Sequence, residues 1–166
     1  RPYDEKNPVV CMDESPKQLI GETRIGSPMK KGQEKREDYE YVRKGTCNIF
    51  MVNEPLAGKR HVKITEQKTK QDWAILVKEI ADDHYPDAEK ILLVMDNFNT
   101  HTPGALYEVF EPAEAKRILD RFEFVFTPKH GSWLNMAEIE LNVLKSQCLS
   151  RRIDNKNEMI RQTSAW

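Results

Sequence analysis

The chain has 166 residues, 39% of them hydrophobic and 32% charged, with a net charge of −1. This suits one globular domain with a sizeable core and excludes a membrane-spanning helix, since no run approaches the ~18 apolar residues a span requires. Three scattered cysteines, Cys11, Cys47 and Cys148, exclude a disulfide framework and read as buried, reduced thiols of a cytosolic protein.

The polar start, RPYDEKNP, is not a signal peptide. PVVCMDES, residues 8–15, is a short apolar strand ending in an acid. Residues 16–40 are charged and interrupted by Gly21, Gly26, Pro28 and Gly32, which predicts a long loop. A strand starts at about Tyr39–Val42, bends at Gly45 and resumes over Thr46–Asn53. Glu54–Lys59 is a turn, and Arg60–Gln67 alternates as a half-buried strand should, giving a local antiparallel hairpin.

Trp73, Ile75, Leu76, Val77, Ile80 and Ala81 form a helical stripe with Thr69 or Thr65 as its cap, ending before Pro86. Ile91–Met95 is an unbroken apolar run, expected as a strand buried on both faces. A helix follows over Gly104–Phe110, with Thr102 as cap and Pro103 at its start, and another covers Ala113–Arg121. Phe122–Pro128 is a strand, KHGSWLN a loop, Ala137–Leu149 a helix, and the tail is polar. Strand, hairpin and then alternating helix and strand predict an α/β fold, a mixed sheet covered by helices on both faces.

VVCMD and ILLVMD share one pattern, a buried strand with an aspartate, Asp13 or Asp96, at its C-terminal end. Functional groups of open α/β sheets gather at that end. If the two strands are parallel neighbours, the carboxylates approach, and two carboxylates in contact do not both stay ionised without a cation. A hard divalent metal with oxygen ligands meets that need; the alternative for either aspartate alone is a turn cap.

The last long helix offers Glu138 and Glu140. Asn135, Glu138, Asn142 and Lys145 fall at helical steps and form one polar stripe, whereas Glu140 lies about 200° around the helix from Glu138. Glu138 is therefore the expected third acid, with a capping box to Asn135 as its other possible role. Two metals about 4 Å apart on such acids activate a water or a 3′-hydroxyl and stabilise the leaving oxygen in phosphoryl transfer. Lys145 shares the stripe and is placed to hold a phosphate. The basic residues of segment 24–44, and Arg151, Arg152, Lys156 and Arg161, read either as phosphate contacts or as solvated surface.

The stretches CMDESPKQL, DYEYVRKGTCNIFM, EPLAGKRHVKITEQKT, VMDNFNTHTPGALYEVF and FTPKHGSWLNMAEIELNVLKSQCL span nearly all the chain. In that order they resemble the catalytic domain of an Asp-Asp-Glu (DDE) transposase, in the bacterial insertion-sequence branch of the mariner superfamily. The resemblance implies a ribonuclease H-like fold, with a five-stranded mixed sheet flanked by helices, and DNA-strand cleavage and joining with two Mg²⁺ or Mn²⁺ ions. It places the catalytic, metal-holding acids at Asp13, Asp96 and Glu138. It puts Lys17, Asn97, Asn99, His101, His130, Asn135 and Lys145 near the DNA. It further implies element ends and target DNA as partners, a homodimer assembled on DNA, no membrane, and a bacterial cytoplasm. The helix-turn-helix region by which the family reads element ends has no counterpart in residues 1–166, which are expected to form a single catalytic domain. Two other possibilities stay open: a catalytically silent module that binds DNA or a partner chain, and a nuclease of the ribonuclease H kind.

Overall fold

The structure, a computed structural model, describes residues 2–23, 31, 40–96 and 101–166. Asn97, Asn99 and most of the basic segment 24–44 fall outside the described residues. Five strands form one sheet in the order β3-β2-β1-β4-β5. The β1–β2–β3 half is antiparallel, while β4 and β5 join β1 in parallel. This is the expected mixed sheet.

β1 (Val9–Glu22) is longer than its apolar run. Residues 16–22, expected as loop, continue the strand because they pair with β2 (Tyr41–Glu54) as far as Glu22 opposite Tyr41. Pro16 is tolerated because β1 pairs with β4 only over Val9–Cys11, so beyond that point one side of the strand has no ladder to break. β2 is one strand where two pieces were expected. Gln18 opposes Thr46 and Ile20 opposes Arg43, so Lys44 and Gly45 together face Leu19 as a bulge. Gly45 sits there at φ 100°, a conformation that side chains disfavour. β3 (Lys59–Thr65) closes the predicted hairpin.

α1 (Lys70–Glu79) starts at Thr69, whose hydroxyl accepts from the Asp72 N–H while the Asp72 carboxylate accepts from the Thr69 N–H. One wide π-turn, Ile80–His84, ends it before Pro86. β4 (Ile91–Met95) has the predicted bounds but is fully buried on one face only, since Leu92 and Val94 are half-buried. α2 (Gly104–Val109) begins at Pro103, with the Thr102 carbonyl rather than its side chain accepting from Ala105. α3 (Pro112–Asp120), β5 (Phe122–Phe126) and α4 (Met136–Gln147) follow as expected within a few residues. The polar tail is a further helix, α5 (Lys156–Ala165), capped by Asn155 and burying Met159, Gln162 and Thr163.

Side-chain alternation divides the interior into two cores. Val10, Met12, Phe50, Val52, Leu93 and Met95 pack with α1–α3 on one face. Cys11, Ile49 and Met51 pack with Leu141 and Leu144 of α4 and Met159 of α5 on the other. All three cysteines are buried and free. Among the described residues, no helix is long and apolar enough to cross a membrane.

Candidate active site

Register brings the two aspartates together. Cys11 of β1 lies beside Val94 of β4 in parallel pairing, so two residues further on Asp13 comes level with Asp96. Alternation sends both toward α4: Cys11 belongs to the α4-side core, and Leu93 and Met95 face the other way. Both carboxylates are half-buried. Asp13 accepts from the Glu14 N–H at 2.7 Å, and Asp96 accepts from the Thr127 hydroxyl at 3.0 Å.

Asn135 fixes α4 against this pair. Its side-chain oxygen caps the helix by accepting from the Ala137 N–H, and its amide donates to the Met12 carbonyl at 2.7 Å and stands 3.5 Å from the Asp96 carboxylate. The cap is one-sided, with no return bond from Glu138 of the kind Asp72 makes at α1. Glu138 is half-buried in the first turn of α4, and its charge acts on Asp13. Glu140 points elsewhere and pairs with Arg60 at 3.2 Å. The helix stripe thus separates the two glutamates in the expected sense.

Burial pushes Asp13 up to about 6, and the negative charges of Asp96, Glu14 and Glu138 reinforce the shift. In the unfolded chain the same group titrates near 3.8. The folded state therefore holds this proton more tightly, and the stability linked to it is lost as pH rises through about 6. Asp13→Asn should make the metal-free protein melt higher than wild type near neutral pH. The gap should narrow as pH falls through about 6 and close only near the unfolded value of 3.8, as thermal melts across that range would read.

The donor chemistry of this group fits a hard divalent cation. All three groups are carboxylates, and the influences on Asp13 include no cation. Among the described residues, however, no three His, Cys, Asp or Glu side chains are gathered closely enough to hold one ion. The third acid stands near the pair without closing on it.

Adjacent to Asp13 on the other face of β1 is a second polar group. Glu14 pairs with His101 at 2.9 Å and with Lys68 at 3.1 Å, and all but the lysine are nearly buried. Burial raises the Glu14 carboxyl, but the hydrogen bonds and charges of His101 and Lys68 outweigh it and hold the group below the usual carboxylate range. His101 also stacks on Trp73, with ring centroids 5.8 Å apart. Asp13, Glu14, Lys68, Asp96 and His101 line one hollow of about 160 Å³. A larger hollow of about 470 Å³ lies beside β3 and α5, where Lys63 is paired with Glu79 and His61 is stacked on His84. It contains none of the three acids, and its charges are already matched.

The residues expected near DNA are scattered. Asn135 is fully buried and His101 nearly so, and both are engaged inside the protein, because one caps α4 and the other answers the Glu14 charge. Lys17 donates to the Leu149 carbonyl at 2.8 Å and ties β1 to the end of α4. Lys145 is half-buried in the last turn of α4, about two turns from Glu138. His130 is exposed and has φ 66°. Asn97 and Asn99 lie outside the described residues. The pattern missed Glu14, although its place directly after Asp13 was a signal, since strand neighbours face opposite sides and an acid on each side needs two separate answers.

Comparison with known proteins gives two matches. The family model described as DDE superfamily endonuclease matches residues 8–160. Among solved structures, the fold is similar to that of the Mos1 transposase in its paired-end complex with the left transposon end, at a TM-score of 0.62 and 14% identity. That likeness covers 96% of this chain and 47% of the other, so the chain spans less than half that protein's length. No curated protein matches the chain.

Proposed function

The chain belongs to the DDE superfamily endonucleases, and from that premise we propose that residues 1–166 are the catalytic domain of a DNA transposase. It would cut DNA at the ends of an insertion sequence and join the 3′-hydroxyls to target DNA. The observation that carries the proposal is the pairing of Asp13 and Asp96 at the ends of adjacent parallel strands, with Glu138 presented from α4.

Asp13, Asp96 and Glu138 would hold two Mg²⁺ or Mn²⁺ ions. When bound, such ions activate the attacking oxygen and stabilise the leaving one. The protein's own part is to orient these acids. Thr127 and Asn135 hold the Asp96 carboxylate, and the Glu14 N–H holds that of Asp13. Asn135 also pins the helix that carries Glu138. A bound cation would offset the repulsion from Asp96, Glu14 and Glu138 that adds to the burial-driven rise of Asp13. Lys145 and His130 are proposed as phosphate contacts, the chain as a dimer when assembled on DNA, and the bacterial cytoplasm as its place of action.

Incubation with supercoiled plasmid and Mg²⁺ or Mn²⁺ tests this: nicked DNA should accumulate only with metal. Preferential cutting of the RNA strand in an RNA–DNA hybrid would favour a ribonuclease H instead. Absence of both nicking and metal binding would leave a silent binding module. A bound ion should also raise the melting temperature, because a ligand that binds only the native state stabilises it.

A further inference from the structure

Among the described residues, Trp133 is the most exposed large apolar side chain, at 72%. A tryptophan left in water forgoes the roughly 2–3 kcal/mol that burying a large apolar side chain contributes, and Trp133 does so from a rigid mount. It sits in the short 3₁₀ turn Ser132–Leu134. The Gly131 N–H donates to Pro128, Leu134 to Gly131 and Asn135 to Ser132, at 2.8, 3.0 and 2.7 Å. A side chain at Gly131 would come within 3.1 Å of the Pro128 carbonyl, so the turn is packed around a glycine.

Location gives this ring its meaning. Asn135, two residues later, stands 3.5 Å from the Asp96 carboxylate. Two residues span at most about 7 Å, so the Trp133 backbone lies within a nucleotide or two of the acids. Lys129 and His130 are exposed on the same loop just before it. An exposed flat ring on a loop that also carries a cation, here Lys129, is the combination that binds unpaired nucleic-acid bases while tracking a phosphate backbone.

We propose that Trp133 is a stacking platform for an unpaired base of the DNA strand whose phosphate lies at Asp13 and Asp96. This rests on the assignment of that site to strand cleavage and deepens it: the ligand here is a nucleobase, taken out of the duplex next to the scissile phosphate. Leu134, Met136 and Ile139, which follow Trp133 closely in the chain, are also exposed, at 50, 47 and 55%. They offer the base further apolar surface. The Lys129 charge on the same loop favours a nucleic acid over a second protein.

The test uses a short single-stranded oligothymidylate, a duplex of equal length, and the plasmid-nicking assay. Trp133→Ala and Trp133→Phe should melt like wild type, because the side chain is exposed. Oligothymidylate should quench wild-type tryptophan fluorescence, and both variants should lose that quenching. Affinity for the single strand should fall about tenfold in Trp133→Ala and much less in Trp133→Phe, which keeps a ring. Unchanged single-strand affinity in Trp133→Ala would overturn the proposal. So would a switch from dimer to monomer with DNA affinity intact, which would make the patch a protein interface. If wild type nicks plasmid yet does not bind oligothymidylate, the stacking site is refuted and the cleavage site stands. If it does neither, the cleavage assignment falls and takes the platform with it.

Discussion

Asp96→Asn should reduce metal-dependent nicking at least about a hundredfold, with the melting temperature of the metal-free protein little changed or slightly raised. Removal of a group that merely supports a metal ligand typically lowers affinity or activity 10–100-fold, and Asp96 is proposed as a ligand itself. The asparagine keeps an oxygen to accept from the Thr127 hydroxyl, so the local fold should survive. Only the negative charge and one metal-binding oxygen are lost. Glu140→Gln is the control, since Glu140 pairs with Arg60 away from the aspartates. A nicking rate in Glu140→Gln as low as in Glu138→Gln would show that the wrong glutamate had been assigned. Equal nicking in wild type and Asp96→Asn would move the chemistry elsewhere on the molecule.

Trp73→Ala should be the most destabilising single change near the site, by about 3–5 kcal/mol, the usual range for an aromatic truncated in a core. Trp73 is fully buried, stacked on His101 and 6.1 Å from the Phe124 ring. The loss is a large part of the 5–15 kcal/mol that typically holds a domain together. In a chain of this length it should lower the melting temperature by roughly 10 °C. Trp73→Phe should recover much of it. The truncation should also loosen His101, the partner of the nearly buried Glu14 carboxylate, so chemical denaturation of Trp73→Ala and His101→Ala should show non-additive effects when the two are combined. Additive effects would mean that the ring stack does not carry the coupling.

Much of this was legible from side-chain period alone. Five consecutive apolar residues define β4 because every one meets protein, on one face fully and on the other in part. Thr69 and Asp72 announce α1 because the carboxylate follows the hydroxyl three positions later, as a capping box requires. The acid pair was legible only conditionally. The motif repeats on two strands, but their parallel adjacency is a property of the sheet, set by register between residues 9–11 and 92–94.

What was missed has no periodic side-chain signal. Residues 16–22 are strand because a neighbouring backbone pairs with them, and Pro16 and Lys17 argue against it in sequence. α5 carries too few apolar residues to form a stripe, and its buried face includes Gln162 and Thr163. The spacing of Asn155 and Glu158, a cap followed by an acid at the third helical position, was its available signal. His101 and Asn135 look like ligand-facing polar residues in sequence. Their burial follows from needs elsewhere in the chain, the charge of Glu14 and the carbonyl of Met12.

The sheet order also sets a timetable for biosynthesis. β1 is made first yet ends in the middle of the sheet, between β2 and β4. β2 and β3 join it through antiparallel neighbours close in sequence, contacts of the kind that form early. The parallel partner β4 arrives only after α1 has been made, and α4 later still. A ribosome-bound chain therefore carries Asp13 on a growing meander long before Asp96 and Glu138 exist to complete the group. Translation itself thus delays assembly of the Asp13, Asp96 and Glu138 group until α4 has been made.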